Sequence, residues 1–199
     1  MPRPRRVTPF ESHGDRFAAG RFGMALFLVS LAMLFAAVIV GCLVIRLSDG
    51  GTAWRPEGSP SLPWMLWAST GIIVASGITF HTAAGAERAN QPARFRRLIW
   101  STWGLGVAFL ITQAWSWIRL HEGNQRLAES LYAWSFYVLT GLHAAHVLGG
   151  LVPLTVVAVH ARHEDRDPAS RAGLTYVEMY WHFLGAAWLV LFAVLLLVA

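Results

Sequence analysis

Two histidines, His143 and His146, stand three residues apart inside FYVLTGLHAAHVLGG (residues 136–150), a stretch with no charged side chain. At that spacing they occupy neighbouring positions on one helix face. His182 follows in YWHFLGAAW (residues 180–188), and His81 lies in an earlier apolar run. Imidazoles so placed can ligate a metal, carry a proton, or hydrogen-bond between helices as neutral groups, since the ordinary pKa is about 6.5. A di-histidine haem b needs two imidazoles from different helices facing one another, so His146 with His182 is the candidate pair and His81 a further one. An ionisable residue inside a membrane is a functional suspect on energetic grounds alone. Copper or zinc ligation is less favoured, because no carboxylate or thiol is expected at comparable depth. The single cysteine, Cys42, excludes an intrachain disulfide or a thiolate zinc cluster. The apolar region holds no acid–base pair, nucleophile triad or phosphate loop. Packing is the first reading of these histidines and haem ligation the second.

The elements that must position them are membrane helices. The chain has 199 residues, 55% hydrophobic and 14% charged. Its apolar residues gather into five blocks, 22–45, 63–86, 98–118, 131–159 and 179–199, none containing Asp, Glu, Lys or Arg. Crossing a hydrocarbon core takes about 20 helical residues, and in lipid a lone segment satisfies its backbone only as a helix. The expected fold is therefore all-α: a bundle of five transmembrane helices (residues 22–199) behind a polar N-terminal arm (residues 1–21). The interhelix loops are too short to form a separate soluble domain. The arm, beginning MPRPRRVTPFESHGDR, has no apolar period and reads as extended until it meets a partner. The first loop, SDGGTAWRPEGSPSLP, is rich in turn residues. The third, RLHEGNQRLAES, is expected to hold a short surface helix. The sequence IVGC (residues 39–42) resembles a lipoprotein processing site, but the apolar run continues past it and reads as a retained anchor.

All 16 basic residues are arginine. They lie in the tail and loops, which suits membrane orientation and not nucleic-acid binding. Twelve fall in the tail, the second loop and the fourth loop, so the positive-inside rule puts the N-terminus in the cytoplasm and the C-terminus outside. Arg94, Arg96 and Arg97 are candidates for anionic headgroups, or form a solvated face that only sets topology. Small residues recur every fourth position at Gly71, Ala75 and Thr79, at Gly104, Ala108, Thr112 and Ser116, and at Gly141, Ala145 and Gly149. Such stripes suit close helix packing. Trp54, Trp64, Trp67, Trp115, Trp117 and Trp134 group near one boundary and read as an interfacial belt. Trp181 and Trp188 lie deeper and need packing partners.

FYVLTGLHAAHVLGG followed by YWHFLGAAW resembles the last two helices of subunit III of the haem-copper oxidases, the cytochrome c and quinol oxidase family. RFGMALFLVSLAMLF, the Leu62–Pro63-led helix with Ser76, Gly77 and Thr79, and GLGVAFLITQAWSW with Gln113, Ala114 and Trp117 resemble its other helices, in the family's order. The resemblance implies a short five-helix form in a bacterial cytoplasmic membrane. It implies a non-catalytic subunit of a terminal oxidase of aerobic respiration that reduces O2 and translocates protons. Haem and copper would lie in partner subunits, with none in this chain, and phospholipid would be bound between helices. The direct partner would be subunit I, with subunit II and further respiratory chains beyond it. His143, His146, Trp181, His182 and Gln113 would then be interhelix contacts. Three family carboxylates are replaced, by Leu31, Ser116 and Gly185, so no function resting on them carries over. A related subunit of a nitric oxide reductase or quinol oxidase is the neighbouring alternative, and a haem b electron carrier the distant one. A transporter is disfavoured by the lack of inverted repeats and of charged midplane residues.

Overall fold

In the computed structural model, which describes residues 13–48, 64–122, 131–161 and 168–198, the regular structure is helical throughout. Five helices follow one another: α1 (His13–Ser48), α2 (Met65–Arg88), α3 (Pro92–Glu122), α4 (Leu131–His160) and α5 (Pro168–Val198). Four contain a stretch long and apolar enough to cross a membrane: Asp15–Ser48, Pro92–His121, Leu131–His160 and Ala172–Leu197. The fifth, α2, has 24 residues, and Ser69, Thr70, Ser76, Thr79, His81 and Thr82 interrupt its apolar run. The chain is a multi-pass membrane protein.

The helices outrun the apolar blocks. α1 starts at His13, inside the segment expected to be an extended arm, and α5 starts at Pro168, well before residue 179. Charge marks where a helix leaves hydrocarbon, not where its hydrogen bonding stops. The remainder of the arm and nearly all of the first loop, Trp54 included, lie outside the described residues. So does most of the third loop, of which residues 119–122 continue α3.

α2, α3, α4 and α5 close into a ring in which each helix packs on the next and α5 returns to α2. α1 touches only α4 and α5, and lies along the groove between them. It runs parallel to α5: near the start of both helices the Tyr176 hydroxyl donates to the Phe17 carbonyl at 3.4 Å, and at the end Arg46 donates to the Leu197 carbonyl at 3.1 Å. α2 and α3 are joined by a tight turn. Asn90 has φ 53°, the Gln91 N–H reaches back to the Ala86 carbonyl (2.9 Å) and the Asn90 N–H to that of Glu87 (3.0 Å). This is a Schellman closure, and Pro92 then opens α3 at a position where no amide donor is needed.

The core is aromatic. Trp181, Trp188, Tyr132, Phe80, Phe109 and Phe136 are its largest enclosed side chains. The small-residue stripes contribute less to it than their spacing suggests: Gly71 and Gly104 face open space. The close approaches fall at other glycines. A Cβ on Gly106 would lie 2.9 Å from the Trp181 ring, and one on Gly150 would lie 2.8 Å from that of Tyr180. Here a missing side chain admits a neighbour's ring, not its backbone.

Candidate functional site

Of the histidines, α4 turns His143 fully into the core, where its ring meets Phe35 of α1 (6.2 Å between centroids), Phe109 of α3 (5.5 Å) and Trp188 of α5 (5.1 Å). Neither of its ring nitrogens has a hydrogen-bond partner. It joins four helices by ring contact. The His146 ring lies 5.2 Å from that of Phe35, and its Nδ1 is 2.7 Å from the Leu142 carbonyl, one turn back on its own helix. The link from His146 to α5 runs through its backbone carbonyl, which accepts from the Tyr180 hydroxyl at 3.0 Å.

Much of the interhelix hydrogen bonding is instead the work of indoles. Trp103 donates to Thr155 Oγ1 (2.9 Å), Trp117 to Thr140 Oγ1 (3.0 Å), Trp188 to Thr70 Oγ1 (2.9 Å) and Trp181 to Ser76 Oγ (3.0 Å). The three threonines pass their own protons to carbonyls one turn back, at Leu151, Phe136 and Leu66. Ser76 donates onward to the Thr102 carbonyl of α3 (3.2 Å). Each hydroxyl thus accepts from one helix and donates to a backbone, which satisfies both groups inside lipid. Gln113 extends the pattern by donating to Ser69 Oγ at 3.2 Å. Trp117, expected in the interfacial belt, belongs to this set. Trp64, Trp67, Trp115 and Trp134, from the same expected belt, are exposed.

Of the three replaced carboxylates, Leu31 is buried in the core, Ser116 donates to its own helix at Thr112 (2.8 Å), and a Cβ on Gly185 would meet no atom within 4 Å. A carboxylate does stand among the helices at another position, Glu178. It precedes the apolar block as bounded in the sequence but lies well inside α5. Its Oε1 is 3.5 Å from His81 Nδ1 and 3.8 Å from His182 Nε2, while Oε2 is 3.5 Å from Arg88 Nη2. The His81 and His182 rings are 6.0 Å apart. So His182 turns towards α2 and His146 towards α1, and the proposed haem pair is not brought together. The signal for Glu178 was present in its placement four residues before His182, one turn along the same face.

The arginines divide as well. Arg96 and Arg97 line a shallow surface cavity of about 740 Å³ with Trp100 and Ser101. Arg94 turns instead to Gln91, donating to Oε1 at 3.3 Å.

Residues 10–198 match the family model for cytochrome c oxidase subunit III. Among similar proteins, the cytochrome c oxidase subunit 3 of Synechocystis sp. is 34% identical over 189 residues, 93% of this chain and 79% of the relative. That of Corynebacterium diphtheriae is 31% identical over 172 residues, 85% and 83% of the two. That of Drosophila melanogaster is 30% identical over 177 residues, 86% of this chain and 66% of the relative.

Proposed function

The chain belongs to the cytochrome c oxidase subunit III family, an accessory subunit of an oxidase complex whose catalysis lies in other subunits, and from that premise we infer how it serves there. It packs directly on the catalytic subunit I, with subunit II in the same assembly, in a bacterial cytoplasmic membrane with its N-terminus inside. Haem and copper are held by those partners and none by this chain. The observation that carries this reading is the way the interior is spent on packing. His143 is enclosed by Phe35, Phe109 and Trp188, and His146 Nδ1 is engaged by the Leu142 carbonyl. That is how a scaffold uses imidazoles, and the candidate haem pair is turned apart, His146 towards Phe35 of α1 and His182 towards His81 of α2. The arginine bias supports the orientation.

Lipid holding is the second part of the reading. The cavity formed by Arg96, Arg97, Trp100 and Ser101 combines guanidinium charge, an indole and a hydroxyl, the groups that suit an anionic phospholipid headgroup. Gentle detergent extraction tests both parts. The full chain is expected to co-purify with a haem- and copper-bearing subunit, and Arg96→Ala with Arg97→Ala to lower the anionic phospholipid retained per complex. Expressed alone, the chain is expected to show no haem band in a reduced-minus-oxidised spectrum. A stoichiometric haem b band would overturn the reading.

A further inference from the structure

Glu178 poses an energetic problem that its surroundings answer more than once. A carboxylate inside a membrane helix needs a compensating charge, and Arg88 supplies one at 3.5 Å through Oε2. The other oxygen faces two imidazole nitrogens, His81 Nδ1 at 3.5 Å and His182 Nε2 at 3.8 Å. Both separations exceed the roughly 2.7–3.2 Å of a good hydrogen bond. Neutralising the carboxylate does not require this second pair, and the pair does not hydrogen-bond to it. What the three groups share is a centre: their ligand atoms all lie within 4.8 Å of one another.

That spacing is close to the geometry of a small cation. A four-coordinate ion with bonds of about 2.0–2.2 Å holds its ligand atoms about 3.3–3.6 Å apart. The two distances involving Glu178 are already within a few tenths of an ångström of this range. We propose that His81, Glu178 and His182 form a binding site for a divalent transition-metal ion of the zinc class, tying α2 to α5. Two imidazoles and one carboxylate form a nitrogen-rich ligand set that selects such an ion over calcium or magnesium, which take oxygen ligands. Three protein ligands leave a fourth position for water.

The surroundings suit the role. A ligating carboxylate is commonly steadied through its other oxygen, as Arg88 does here. Gly77 lies alongside the His182 ring, where an added Cβ would come to 3.7 Å from Nδ1. His81 is seven residues from Arg88 at the basic end of α2, a depth of roughly 10 Å, and its side chain is 70% exposed. A cavity of about 290 Å³ at that end is lined by Glu87, Arg88, Asn90 and Thr175 and includes Glu178 itself in its wall.

The test uses the full chain in lipid nanodiscs, titrated calorimetrically with zinc alone and then with cobalt. The expected result is one equivalent of zinc per chain. Its affinity should fall by at least about tenfold in each of His81→Ala, His182→Ala and Glu178→Gln. Cobalt should give the intense visible bands of a low-coordinate nitrogen–oxygen site, lost in the same variants. Helix content of each variant in chelator shows that it is folded. Absence of saturable zinc uptake would overturn the proposal, as would uptake unchanged in His81→Ala with His182→Ala.

Discussion

An indole N–H in lipid has few places to go, and in this chain four of them go to a hydroxyl on another helix. Trp181 shows the consequences best, because it both donates to Ser76 and presses its ring on Gly106. Trp181→Phe removes both the donor and the outer ring edge, Cζ2 and Cη2, that lies against Gly106, and is expected to cost about 1–3 kcal/mol of stability. Gly106→Ala drives a methyl to 2.9 Å from the Trp181 ring and 3.0 Å from Leu151 Cδ2, and is expected to cost about 1–3 kcal/mol. Because the two share one contact, the double variant should lose less than the sum, and a thermal-unfolding cycle in detergent checks it. Strict additivity would mean that the ring is not what fills the glycine notch. His143 behaves differently. With both nitrogens unpartnered and aromatic rings around it, His143→Phe is expected to leave the chain as stable or more so, since it removes a buried unsatisfied group at similar volume. Much of this was legible in the residues. His143, His146, His182, Trp181 and Gln113 each lie against a residue of another helix. The direction of each hydrogen bond was not, because an indole reads alike in a belt and in a core until the facing threonine is placed. Glu178 was missed for a different reason: an apolar block drawn by charge must exclude any charged residue it ought to contain.

At the scale of elements, the helix count and order follow from hydropathy, while the ends follow from capping. Hydropathy changes where a helix leaves hydrocarbon, but the helix itself runs on until its last carbonyls find other donors. The α2–α3 turn shows the difference. No apolar period marks it, yet Asn90 at φ 53° and the return bond from Gln91 to Ala86 fix where α2 stops. Asn is among the few residues with a side chain that enter the left-handed region readily. Asn90→Gly is therefore expected to leave stability within a few tenths of a kcal/mol, and Asn90→Val to lower it by about 1–2 kcal/mol. Equal thermal midpoints for the two variants would show that the turn does not hold this conformation in the membrane. The small-residue stripes are the part of the sequence reading that the elements answer otherwise. A four-residue period records which residues share a face, and only the packed bundle shows that Gly106 and Gly150 receive the rings.

At the scale of the whole molecule, the helices are unequally held. The apolar window of α1 is 17% buried, against 39% for those of α4 and α5. Van der Waals contact supplies most of the association energy between membrane helices, so burial inside the bundle ranks how firmly each is attached. α1 is pinned near its two ends, by Tyr176 to Phe17 and by Arg46 to Leu197, and between them by Phe35, which reaches His143 and His146. The ring of α2 to α5 carries the indole clasps and does not include α1. In single-molecule force unfolding in a bilayer, pulling from the N-terminus is therefore expected to extract α1 as a separate first step, at lower force than any later one. Phe35→Ala should lower that first force alone, because it takes away the large α1 side chain that enters the core beside His143 and His146. Extraction of α1 only together with α4 or α5 would refute this hierarchy. It would mean that the groove contact, small as it is, is as strong as the closed ring. If the hierarchy holds, most of the outward surface of α1, with Phe22, Leu26, Val29 and Met33 exposed, is left to lipid or to a neighbouring subunit. The four-helix ring then stays intact whichever of the two covers it.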